Sequence, residues 1–207
     1  MPAPDRRTRL TPDERRRQLI TLGVNALADR PLEAITIEFL AAEAGVSRGL
    51  LFYYFGSKTG LHHELVSTAR DSLMHATEPR DELEPVARLH DTLERFVQFA
   101  REHRLTFYSL VRGAAAGDET VREIVEEVRR AQAERLIAVF QDLGVDVTQL
   151  VRVALRSWVA LAEQALVDGA MNAELREGEL VGFLERSARS VVELAVATPH
   201  GSDRPEA

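Results

Sequence analysis

The chain reads as an all-α protein: a three-helix helix-turn-helix head joined to a helical-bundle body, about nine helices in all. Three observations predict this. Apolar residues recur at i, i+3, i+4 and i+7 along most of the 207 residues. Cap residues, glycines and prolines punctuate that period at helix-length intervals. No stretch alternates as a strand would, and neither a repeat nor a Gly-rich phosphate loop competes.

In chain order, residues 1–10 hold Pro2, Pro4 and three arginines without any period, and read as a flexible basic arm. Thr11-Pro12-Asp13-Glu14 then combines a threonine cap, proline at the first helical position and glutamate at the capping-box position. A first helix follows to about Asp29, with Leu19, Ile20, Val24, Leu27 and Ala28 as its apolar stripe and Arg15, Arg16 and Arg17 along its exposed start. Arg30-Pro31 ends it. Thr36 caps a second, short helix whose Ile37, Leu40, Ala41 and Ala44 share one face, and Gly45 supplies the left-handed residue that lets the chain reverse. Ser47 caps a third helix, Arg48 to Phe55. Leu50, Leu51 and Phe55 can face inward, which leaves Arg48, Gly49, Tyr53 and Tyr54 on an outer face with no carboxylate among them.

That spacing suits a helix docked in a major groove, where arginine reads guanine bidentately and tyrosine offers a hydroxyl to phosphate. Ser57 caps a fourth helix, running to about Ala76, and Lys58, the chain's one lysine, sits in its first turn against the helix dipole. A cation placed there makes sense when a phosphate arrives, because helix N-termini also donate amides to phosphate. An αα-corner in an ordinary bundle would need none of these exposed groups.

At these residues the sequence resembles the TetR family of bacterial transcriptional regulators. The run from Ala44 to Leu61, AGVSRGLLFYYFGSKTGL, carries the resemblance, which with the first helix covers about a third of the chain. Two positions depart from the family pattern, Leu50 where threonine is common and Phe52 where tyrosine is common, and both lose a hydroxyl. The resemblance implies DNA contacts at Thr36, Ser47, Arg48, Gly49, Tyr53, Tyr54 and Lys58, and a double-stranded operator as partner.

The polar stretch Thr77 to Pro85, with Pro79 and Pro85, is the clearest break. Residues 11–57 are taken as the DNA-binding domain, 58–197 as a C-terminal ligand-binding and dimerisation domain, and 198–207 as a flexible tail. In the body, Pro85 opens a fifth helix with Val86, Leu89, Leu93, Phe96, Val97 and Ala100 as its stripe. A sixth spans Leu105 to about Ala116. Gly117-Asp118 ends it and caps a seventh reaching Leu143, where Gly144 stops it. An eighth should span about Thr148 to Val167 and a ninth about Glu177 to Ala197.

Composition narrows the function. Without cysteine there are no disulfides, thiolate metal sites or cysteine nucleophiles. His62, His63 and His75 lack the spacing of a helical metal site, so neither metal nor cofactor is expected. Carboxylates such as Glu119, Glu123, Glu126 and Glu127 lie opposite apolar stripes as solvated faces, and no HExxH or nucleophile elbow appears, which argues against an enzyme. A scaffolding bundle would bind no DNA. No apolar run of about 18 residues and no apolar signal core are present, so a cytoplasmic protein without membrane contact is expected. The net charge of −7 divides unevenly, +2 in residues 1–60 and −9 beyond, so the head is the end that DNA attracts.

The resemblance further implies a small-molecule effector held between helices 4 and 8. Phe96, Phe99, His103, Phe107, Tyr108, Phe140 and Trp158 are its candidate lining, with Arg112 and Glu163 as further polar candidates beside His103. An apolar or amphipathic ligand would suit such a lining. The eighth and ninth helices are apolar over more of their circumference than one core face needs, which predicts a homodimer through a four-helix bundle at Leu155, Ala162, Leu166, Phe183, Leu184 and Val191. Together these readings describe a ligand-responsive repressor that binds a palindromic operator as a dimer.

Overall fold

The computed structural model describes residues 10–115, 119–172 and 174–198, with the backbone alone at 109, 112–115, 120, 170 and 171. The expected arm at 1–10 and the tail from 198 fall almost entirely outside these residues, as does the Gly117-Asp118 stop. Among the described residues there are nine α-helices and no strand.

Helix α1 (Pro12–Ala26) opens with the expected capping box: Thr11 Oγ1 accepts from the Glu14 amide, and the Glu14 carboxylate accepts from the Thr11 amide at 2.7 Å. It ends three residues before the expected Asp29. The amides of Ala28 and Asp29 turn to carbonyls three residues back, and Arg30 is held out of helix by Pro31. Ala28 is accordingly exposed, while Leu19, Ile20 and Leu27 are buried. A short 3-10 turn, Leu32–Ala34, follows; three residues are too few for a periodic signal.

The head continues with α2 (Ile37–Ala44) and α3 (Arg48–Phe55), and α4 (Lys58–Ala76) leads from it into the body. The body comprises α5 (Pro85–Glu102), α6 (Arg104–Ala115), α7 (Glu119–Asp142), α8 (Gln149–Met171) and α9 (Glu177–Ala197). Helix α8 runs one turn past its expected end at Val167, to a cap at Asn172 whose side chain accepts from the Glu174 amide.

Two apolar clusters form. The head cluster gathers Leu19, Leu27, Ile35, Leu40, Leu51 and Leu61, and takes in Val121, Ile124 and Val125 from the start of α7. The body cluster joins α5, α7, α8 and α9 around Leu93, Val97, Ile137, Leu155 and Leu184. Helix α4 belongs to both halves. Leu61, Leu65 and Val66 sit in the head cluster, and its last carbonyls are held by body arginines: Arg95 donates to Ala76 and Glu78, and Arg135 donates to Met74 and Thr77. Cations at a helix C-terminus complement its dipole and fill its orphan acceptors. His62, buried on α4, places Nε2 2.9 Å from the Ile35 carbonyl, a structural role.

The expected interface residues need correction. Leu155, Ala162, Leu166 and Leu184 are buried in the chain's own core, because α5 and α7 cover that side of α8 and α9, and Val191 packs partly against the same cluster. Of the six, Phe183 alone is exposed, at 47%. The surplus apolar surface of these helices lies elsewhere, at Leu150, Val153 and Leu161 on α8 and at Leu194 and Val196 on α9. Among the described residues no helix is long and apolar enough to cross a membrane.

Candidate nucleic-acid interface and internal cavity

Backbone chemistry sets the geometry of the head. Thr36 Oγ1 caps α2 by accepting from the Phe39 amide at 3.0 Å, and Gly45 takes the left-handed conformation at φ 64°. The Val46 amide then reaches back to the Ala41 carbonyl, closing the turn. Ser47 Oγ caps α3 through the Leu50 amide, and Ser57 Oγ caps α4 through the Gly60 amide. Gly60 permits a close corner between α3 and α4: a Cβ there would lie 2.1 Å from the Phe55 carbonyl oxygen. Thr36 and Ser47 therefore act first as caps.

Leu51 and Phe55 anchor α3 in the head cluster. Ser47, Arg48, Gly49, Tyr53 and Lys58 are exposed, Tyr53 at 76%, whereas Tyr54 is half-buried against the head core with its ring 5.2 Å from that of Tyr53. Phe52 points outward at 44% exposure, beside Tyr53. Two expectations change. The outer face of α3 is not free of carboxylates once α2 is in place, since Glu38 pairs with Arg48 at 2.9 Å. Lys58 has a partner of its own, donating to the Glu33 carbonyl at 3.1 Å and so tying the start of α4 to the 3-10 turn. Both contacts are exposed, where an ion pair contributes at most about 1 kcal/mol, and either cation can exchange its partner for a phosphate. Arg16 is turned away from such a role by Glu64, 2.7 Å from it on α4.

Beneath the head lies a cavity of about 470 Å³. Its walls come from α4 to α8, as expected, and also from the head itself, through Val24 and Asn25 of α1 and Ala28 just beyond it. Of the candidate lining residues, Phe96, Phe99, His103 and Phe107 are present, Phe96 and Phe107 meeting edge to face at 6.1 Å. Three others are corrected. Phe140 is buried in the body core, Tyr108 packs half-buried against that core, and Trp158 borders a smaller adjoining void of about 50 Å³ while donating to Ser187 Oγ. The side chain of Arg112 lies outside the described residues.

Of the polar wall, sequence reading named Glu163 but missed Arg129 and Gln132. Glu163 on α8 borders the cavity and accepts from Arg129 on α7 at 2.6–2.7 Å, and burial pushes its carboxyl above the usual range despite that cation. Gln132, one turn beyond Arg129, also borders it and donates to Thr77 Oγ1 at the end of α4. Positions 125, 128, 129 and 132 share one helical face, a signal masked by the dense Glu/Arg composition of α7.

The class is thus a helix-turn-helix head, with an exposed aromatic and cationic face, set on an α-helical body that encloses an apolar cavity. Residues 19–65 match the family model for bacterial regulatory proteins of the tetR family, and residues 85–195 match that of the tetracyclin repressor-like C-terminal domain. The chain belongs to the TetR family of bacterial regulatory proteins. It is similar to the nucleoid occlusion factor SlmA of Haemophilus influenzae, 34% identical over 96 residues, or 45% of this chain and 44% of that protein. The chain therefore spans under half the length of that relative. The regulator BetI of Brucella canis is 28% identical over 163 residues, 75% of this chain and 77% of that one. A solved tetR-family regulator from Streptomyces coelicolor superposes with a TM-score of 0.79 at 27% identity, covering 91% of this chain and 84% of that one.

Proposed function

We propose that two copies of this chain bind a palindromic duplex operator in the cytoplasm and repress transcription until a small apolar or amphipathic effector enters the cavity. The observation that carries this reading is the position of the cavity. Its walls include Asn25 in the head and Ser72 on α4 as well as Phe96 and Phe107 in the body, so an occupant bears on both halves at once. Gln132 borders the cavity and also holds the end of α4, which gives the occupant a route to the helix that carries Lys58. Arg48, Tyr53 and Lys58 are the proposed DNA contacts, with Tyr54 supporting Tyr53. Residues 11–57 are the proposed reading unit, and the body from residue 58 pairs the two chains.

Pairing is assigned to the exposed apolar faces of α8 and α9. Leu150, Val153 and Leu161 lie on one side of α8, and Phe183 and Leu194 are three turns apart on α9. A two-fold pair presents two α3 helices, and each reads half of a symmetric site.

A reporter gene placed downstream of an operator selected from random-sequence DNA tests the reading. Expression of the chain should lower the reporter signal, and a cavity-filling Val128→Phe variant should repress while losing its response to inducing compounds. A rise in reporter signal would make the chain an activator.

A further inference from the structure

The polar wall of the cavity is unevenly satisfied. Both Arg129 bonds to Glu163, from Nε and Nη2, end on the same carboxylate oxygen, Oε2. Among the described residues nothing donates to Oε1, although the Glu163 side chain is only 13% exposed. Arg129 is also shared, because its Nη1 donates to Glu126 at 2.6 Å. One guanidinium thus faces two carboxylates. Among the described residues the other charged groups on the walls do not correct this deficit: Arg70 is engaged by Asp71 and Glu127, and Glu102 and His103 are exposed. The rest of the lining is dominated by Phe96, Phe107, Leu110, Val125 and Val128.

We propose that the cavity takes an amphipathic amine, its apolar chain packed among the phenylalanines and its protonated N–H group donating to Glu163 Oε1. This rests on the reading of the cavity as an effector site and names the chemical class of the effector. A half-buried carboxylate whose second oxygen faces an apolar chamber is best met by a ligand that supplies both a cation and a hydrogen bond. A carboxylate ligand would instead compete with Glu163 and Glu126 for one arginine. A neutral alcohol would supply the bond without the charge. Burial already holds the Glu163 carboxyl above its ordinary range, which agrees with a site short of positive charge. The chamber volume falls within the roughly 300–1,000 Å³ typical of small-molecule sites.

Isothermal titration of the full chain with n-decylamine, n-decanol and n-decanoate tests the inference. The amine should bind at least about tenfold more tightly than the carboxylate, with the alcohol between them. Glu163→Gln keeps the side-chain volume, and should remove the preference for the amine over decanol and decanoate. Val128→Phe fills the chamber from α7 without touching Glu163, and should weaken all three ligands alike. Equal affinity for amine and carboxylate, an amine preference that survives Glu163→Gln, or no binding of any of the three would overturn the inference. Amine binding at Glu163 that leaves operator affinity unchanged would instead refute the effector reading, while the ligand class would stand.

Discussion

Arg48 and Lys58 show how exposure and existing partners decide which residues can meet DNA. Each is exposed and each already has one surface contact, to Glu38 and to the Glu33 carbonyl. Phosphate can displace either, since exposed pairs are weak and counterion release favours phosphate binding. Lys58→Ala should therefore weaken binding about equally across sequences and lower the salt slope by about one ion, whereas Arg48→Ala should relax discrimination at one base position. Gel shifts titrated over salt check both, and unchanged binding in both variants would remove α3 from the groove. Phe52 provides a second test. Because it points outward, Phe52→Tyr places a hydroxyl on the groove side and should strengthen operator binding by about 1 kcal/mol; unchanged affinity would show that no DNA oxygen comes within reach. The exposure of Arg48, Tyr53 and Lys58 was legible in the sequence. Glu38 was not, because its approach to Arg48 depends on the angle at which α2 meets α3.

At the scale of the element, local signals were readable wherever cap chemistry repeats. Thr11, Thr36, Ser47 and Ser57 all cap the helices that follow them, as their hydroxyls ahead of apolar periods predict, and Thr148, expected as the first residue of the eighth helix, is its cap. Helix ends were less readable, because they depend on neighbours: α1 stops early where its amides turn back before Pro31, and α8 runs on toward Asn172. Glycines carry different meanings that spacing alone does not separate. Gly60→Ala would push a Cβ into the Phe55 carbonyl, where backbone cannot easily yield, and should destabilise the head by about 1–3 kcal/mol. Gly178→Ala, inside α9 with open space around it, should stabilise the chain by up to about 1 kcal/mol. Urea unfolding midpoints of the two variants should move in opposite directions. A shift of the same sign in both would contradict the corner geometry at α3 and α4.

At the scale of the whole molecule, the all-α architecture was legible from periodicity, but the assignment of apolar surface to core or interface was not. A helix that is apolar nearly all round must be covered on both sides, yet periodicity does not say which side its own chain covers. Leu155, Ala162, Leu166 and Leu184 went to the core, and Leu161, Phe183 and Leu194 remained outside. Two contrasting variants follow. Leu161→Arg combined with Phe183→Arg should yield folded monomers that have lost operator binding, while Leu184→Arg should unfold the body by burying an unpaired charge. Sedimentation together with circular dichroism distinguishes the two, and a double variant that stays dimeric would move the interface elsewhere. The cavity was legible only in part for a related reason: three phenylalanines on α5 and α6 and His103 between those helices could be named, but the wall contributed by the head appears only once α1 packs over α4.

The most direct test of a dimeric operator-binding regulator is selection of bound duplexes from a random-sequence pool, followed by sequencing. The expected result is one enriched palindrome whose half-sites are centred about one helical turn apart, or a multiple of it, as two α3 helices related by a two-fold axis require. Enrichment of a single unsymmetrical site, or no enrichment at all, would contradict the account.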